Sequence, residues 1–260
     1  MTAVRALLAE LRKLMTLPGV WIGCAVTIAG FAGIALLNAF MAKDALLSGD
    51  TDGYHLVSVF DSAYAAAPLG TVGAVIVGVL AIGSEYPANT SDAGGGRQIT
   101  STLLALPRRG LLIAAKAAAV LLVGIATGIA ALAAGVGISV AVIGDLLPFT
   151  TDDSPLAALG ALLYWALTGL IAFGITAIVR SVIVPLIVLI VNNTVVSVSV
   201  LLANLTPLAY WLPDMAGRKL FSGLEMMEGG LDAATGALVM AAWALAFAVA
   251  GAVVFARRDA

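Results

Sequence analysis

The sequence predicts an all-α integral membrane protein. It has six transmembrane helices, an N-terminal amphipathic helix lying in the membrane interface, and a short cytosolic helix between spans 2 and 3. Three observations lead there. Of 260 residues, 62% are hydrophobic and only 11% are charged, about half the charged fraction of a soluble domain. The mean hydropathy is +1.09. Six apolar runs each approach or exceed the ~20 residues that a helix needs to cross a bilayer, and the basic residues gather on one side of them.

The first element spans residues 1–16. Val4, Leu7, Leu8, Leu11, Leu14 and Met15 recur at helical spacing, and Arg5, Glu10, Arg12 and Lys13 are assigned to the other face. That pattern suits a helix lying in the interface. The apolar run that follows is longer than the ~7–15 residues of a signal-peptide core, which argues against a cleaved leader.

The six spans are placed near 20–40, 65–83, 111–142, 155–179, 182–202 and 233–256, all in one domain covering 1–260. The third run is too long for one straight span, so tilting, projection or a bend at Gly135 and Gly137 is expected. Only Arg180 and Ser181 separate the fourth and fifth, which predicts a tight helical hairpin. With the N-terminus inside, Arg5, Arg12, Lys13, Arg97, Arg108, Arg109, Lys116, Arg180, Arg257 and Arg258 are inside and Lys43, Arg218 and Lys219 outside. Ten of 13 basic residues on one side satisfies the positive-inside rule, so both termini are expected in the cytosol. Between spans 5 and 6, residues 203–232 carry Tyr210, Trp211, Leu220, Phe221 and Leu224 and read as one or two short helices at the outer interface.

The longest polar interruption is SEYPANTSDAGGGRQITSTLLALPRRGLLIAAK, from Ser84 to Lys116. Glu85 and Tyr86 close the second run, Gly94–Gly96 form a turn, and Arg97 to Ala105 are half apolar. Pro107 stops that piece before Arg108 and Arg109. A helix this short cannot span, so it belongs at the membrane surface, facing a cytosolic partner. The pattern of Glu-Tyr, a polar turn, ITSTLLALPRRG and Ala-Ala-Lys resembles the first cytosolic loop of bacterial ABC-2 type transporter permeases. Pro87 to Gly96 form a longer insert than that pattern has.

The resemblance implies a permease subunit of an ATP-driven exporter in the bacterial cytoplasmic membrane. Its partners would be a separate ABC ATPase, a second permease copy or sister permease, and membrane lipid. ATP and Mg would be bound by the ATPase, with no cofactor on this chain. The loop becomes the coupling element, with Glu85, Tyr86, Arg97, Ile99, Leu103, Leu104, Pro107, Arg108 and Arg109 as its residues. Glu85 is expected in an ion pair with Arg108, Arg109 or Lys116 that shapes the loop, or solvated. Lys116, two turns into span 3, is expected to snorkel back to the inner interface.

Other motifs narrow the class. No Gly-Lys pair occurs, so there is no P-loop, and neither H-E-x-x-H, G-x-S-x-G nor paired cysteines are present. Enzymatic activity, metal binding and nucleic-acid binding are therefore not expected. Asn192, Asn193 and Thr194 in mid-span 5 read as hydrogen-bonding glue between helices, with a substrate path as the alternative. Asp61 reads as a cap and His55 as a loop residue. The small-residue pairs Gly19/Gly23, Ala74/Gly78 and Gly124/Gly128 suit close helix packing within the chain or in a dimer. An alternative class is a membrane-integral binding, immunity or scaffold protein. An ion-coupled secondary transporter is disfavoured, because no span carries an acidic residue at its centre.

Overall fold

Prolines and caps set where the helices begin. In the computed structural model, which describes residues 2–49, 58–87, 98–106, 108–147, 154–194, 197–221 and 230–257, α1 runs Ala3–Thr16 from an extended Thr2 N-cap. Leu17 is also extended, as a residue preceding proline prefers, and α2 (Pro18–Ser48) starts with that proline at its first position. It ends at Gly49, whose φ of +74° closes the helix in the left-handed region. The short α3 (Val59–Tyr64) opens with a capping box in which Ser58 N–H donates to Asp61 Oδ2 at 2.8 Å. Asp61 is thus the expected cap. Then follow α4 (Ala67–Gly83), α5 (Gln98–Ala105), α6 (Arg109–Ile143), α7 (Ser154–Val179), α8 (Ile183–Thr194), α9 (Val198–Ala203), α10 (Pro213–Ala216) and α11 (Ala233–Arg257). Among the described residues there is no strand.

Four helices are long and apolar enough to cross a membrane: Pro18–Ser48, Arg109–Leu146 (counting a final 3-10 turn), Pro155–Val179 and Ala233–Arg257. The second and fifth apolar runs form shorter apolar helices, Ala67–Gly83 and Ile183–Asn192. The long third run stays helical through Gly135 and Gly137. The expected continuous helix over 182–202 is divided instead between α8 and α9. Asn192 supplies a reason: its Oδ1 accepts from Val198 N–H at 3.1 Å, a side-chain bond that competes with the helix ladder. Nor do the fourth and fifth runs make a tight hairpin, for α8 packs mainly on α4. Val182, Leu186, Leu189 and Ile190 meet Val75 and Val79 there.

The helices α2, α4, α6 and α7 form a bundle, with α11 packed along α7. At its middle Trp165 meets Phe31 edge-on, ring centroids 5.6 Å apart, and donates through Nε1 to Ala67 O at 2.8 Å. Glycines make this approach possible. A Cβ on Gly70 would lie 2.3 Å from the Trp165 ring, and one on Gly135 would lie 2.2 Å from Phe31. The small-residue pairs largely serve contacts inside this chain: Gly19 lies against Leu80, Gly23 against Ile76, Gly78 against Gly169, and Gly128 against Leu162 and Trp165. Around Gly124 alone of these glycines the space is open. Residues 207–220 form two 3-10 turns around α10. They pack against α7 and α11 through Gly160 on Leu220 and Gly236 on Ala216. Leu224 and His55 lie outside the described residues.

Candidate functional site: a buried ion cluster beneath a surface helix

The stretch following α4 turns back on itself at Ser84–Tyr86, with Glu85 N–H bonded to Ile82 O. That turn drives the Glu85 side chain inward, where it is 0% exposed. Its Oε1 accepts from the ammonium groups of both Lys13 and Lys116. Lys116, 1% exposed, also binds Glu10 Oε2 at 2.6 Å. Two carboxylates and two ammonium groups from α1, the Glu85 turn and α6 thus form one charge-balanced cluster. Burial is the largest influence on the Glu85 pKa and pushes it up. The Lys116 and Lys13 ammonium groups outweigh it, so the net direction is down. Burial and then the like charge of Lys116 pull the Lys13 pKa down, against the pull of Glu85.

Two expectations are corrected here. Lys116 does not snorkel to an interface; it is enclosed and paired with two carboxylates, because a desolvated ammonium is tolerable only when paired. Nor do Glu10 and Lys13 share an exposed face with Arg5 and Arg12: Lys13 turns in to Glu85. Glu10 lies on the buried face between Ala6 and Leu14. Spacings of four put residues 6, 10 and 14 on one stripe, so the signal was present in the sequence.

The same glutamate holds α5. Ile99 N–H donates to Glu85 O at 3.1 Å, and Thr102 Oγ1 donates to Glu85 Oε2 at 3.1 Å. Ile99 is 2% exposed, and it packs with Leu106, Leu112 and Phe255 while Leu103 rests half-buried on their edge. Leu104 points away and is 82% exposed. The two leucines expected to act together are therefore separated, one facing the protein and the other outward.

The remaining loop residues divide similarly. Tyr86 lies beneath the Arg180 guanidinium, 5.3 Å from ring centroid to Cζ. Arg180 adopts φ +56°, and its N–H closes α7 on Thr176 O at 2.8 Å. Arg109 donates to Ala256 O at 3.0 Å and so occupies carbonyls left over at the end of α11. Arg108 is exposed. Arg97, Pro107 and Gly94–Gly96 lie outside the described residues.

A second polar group lies at the other end of the bundle. Asp214 on α10 accepts from Asn192 Nδ2 at 2.9 Å, Ser199 Oγ at 2.8 Å and Ser197 Oγ at 3.3 Å. Asn192 thus joins helices, the first of the two roles expected of it. The side chains of Asn193 and Thr194 lie outside the described residues. Nothing in the sequence singled out Asp214, which lies 22 positions from Asn192. Within the bundle, Thr27, Gly73, Gly124, Thr127 and Trp165 line a cavity of about 10 Å³, room for a water molecule at most.

Among the described residues no three His, Cys, Asp or Glu side chains are grouped to hold a metal. The four charges of the cluster pair with one another, so the cluster positions α1, α5 and α6 relative to one another. No family model matches the sequence, and no curated protein matches it.

Proposed function

We propose that this chain is the transmembrane permease subunit of an ATP-driven ABC-2 type exporter. It crosses a bacterial cytoplasmic membrane six times, with both termini in the cytosol. The observation that carries the reading is the presentation of α5. This helix is fastened from beneath by Glu85, Ile99 and Leu103, which leaves Leu104 and the nearby Arg108 turned outward. A leucine so exposed on a helix so firmly held is suited to enter a groove on a partner, where its burial would contribute roughly 1.5–3 kcal/mol. The element lies at the end of the bundle that collects Lys13, Arg109, Lys116, Arg180 and Arg257, the cytosolic end by the positive-inside rule. The sequence has no Gly-Lys pair for a phosphate loop, so the ATPase is a separate subunit in this reading. Force from that subunit would reach α6 and α1 through the ion cluster, and two permease copies would enclose the path.

The test is co-purification with an ATPase, at matched membrane abundance, for the wild type and Leu104→Glu. The variant is expected to insert and fold normally, and to lose both the ATPase and substrate efflux. Retained ATPase binding with retained efflux would show that α5 is not the coupling element. Absence of any ATPase from the wild-type complex would overturn the exporter reading itself.

A further inference from the structure

At 3.6 residues per turn α1 presents three separate faces. Ala6, Glu10, Lys13 and Leu14 turn into the protein. Val4, Leu8 and Met15 recur at spacings of four and seven and form an exposed apolar ridge. Arg5 and Arg12, seven residues apart, run beside that ridge and are exposed. Among the described residues neither guanidinium has an ion-pair partner. At the corner where α1 turns into α2, Trp21 is 58% exposed and donates through Nε1 to Met15 O at 2.8 Å.

An apolar ridge, cations along its border and an aromatic side chain with a polar tip suit a boundary between acyl chains and headgroups. Guanidinium groups are also matched to phosphate, which they bind through two parallel N–H donors. The roll of the helix is fixed from the far side, since Glu10 and Lys13 are held by Lys116 and Glu85. Arg5 and Arg12 are thereby presented without freedom to turn inward. We propose that α1 is a docking surface for anionic phospholipid. Val4, Leu8 and Met15 enter the acyl boundary, and Arg5 and Arg12 bind headgroup phosphates. The inference rests on the membrane placement above and not on an ATPase. Lipid selectivity without any ATPase would therefore sink the exporter reading and leave this one standing.

The experiment titrates the purified full chain in mild detergent with phosphatidylglycerol or phosphatidylcholine and measures bound lipid by native mass spectrometry. The wild type is expected to prefer phosphatidylglycerol. Arg5→Gln/Arg12→Gln should weaken that binding about thirtyfold, and either single variant about fivefold. Arg5→Lys/Arg12→Lys should keep most of it, and Arg257→Gln, at the same end of the bundle, should change it little. Should the double glutamine variant fail to purify, the two single variants decide. Equal binding of both lipids by the wild type overturns the proposal, as does undiminished preference in the glutamine variants. So does an equal loss in Arg257→Gln, which would indicate a diffuse positive field. Loss of a co-purifying acidic protein with lipid binding unchanged would give the face to a protein partner instead.

Discussion

Lys116 Nζ lies 2.6 Å from Glu10 Oε2 although 106 positions separate them in the chain. This pair fastens a surface helix to the inside of α6, and Glu85 with Lys13 adds a second carboxylate and a second ammonium, keeping the cluster neutral. Removing one partner leaves uncompensated buried charge, which costs roughly 3–5 kcal/mol. Glu85→Gln should therefore lower stability by that order, read as thermal unfolding in detergent. Adding Lys13→Met should recover part of the loss, because Glu10 and Lys116 then remain as a neutral pair. A double variant no more stable than the single one would refute the charge-balance account.

Acid should loosen the same cluster. The folded-state pKa of Glu85 lies below its ordinary value of 4.5, so its contribution is fully present above that value. It is lost as pH falls through the folded pKa. Lys13 has the opposite sign: its pKa is below 10.5, so its charged form costs stability that is regained only as pH rises toward 10.5. Unfolding temperature should thus fall below about pH 4.5 at constant ionic strength. The decrement should be smaller in Glu85→Gln; an identical acid profile in that variant would place the titration elsewhere.

Leu103 and Leu104 are adjacent but should behave differently. Leu104→Ala removes a side chain with almost no protein contact and should alter stability by less than about 0.5 kcal/mol. Leu103→Ala removes packing on Ile99 and Leu106 and should cost about 1–2 kcal/mol. Matched denaturation curves in which Leu104→Ala loses more than Leu103→Ala would mean that α5 is turned the other way.

Gly73 and Gly124 offer a similar contrast within the bundle. A Cβ on Gly73 would stand 1.7 Å from Thr27 Oγ1 and 2.3 Å from Gly23 O. Gly73→Ala must separate α2 from α4 and should cost about 1–3 kcal/mol. Nothing lies within 4 Å of a Cβ on Gly124, so Gly124→Ala should be neutral or stabilise its helix by up to about 1 kcal/mol. Thermal unfolding of the two variants checks both signs.

At the opposite end, Asp214→Ala would leave the Asn192, Ser197 and Ser199 donors without their shared acceptor. Amide exchange across 192–200 should quicken about tenfold, a local loss on the order of 1.4 kcal/mol. Asp214→Asn, which keeps one acceptor oxygen, should show a smaller effect. No change in either variant would mean that the three donors are satisfied without Asp214.

Sequence by itself determined the helical, apolar character of this chain and most helix starts. Hydropathy, Pro18, Pro155 and the Ser58–Asp61 cap are local signals, read within a few residues of where they act. It also marked Glu85 to Lys116 as the distinctive stretch. Only tertiary structure decided what those residues touch. Glu10 and Lys116 look like surface charges in isolation, and they become a buried pair because each supplies the counter-charge that the other's desolvation requires. The division of the fifth run has the same origin, since Asn192 exchanges helix propagation for bonds to Val198 and the distant Asp214. Leu103 and Leu104 were indistinguishable in sequence, because a half-polar helix of eight residues does not fix its own roll. The bond from Thr102 to Glu85 and the burial of Ile99 fixed it, and those partners lie across the chain, beyond the reach of any local pattern.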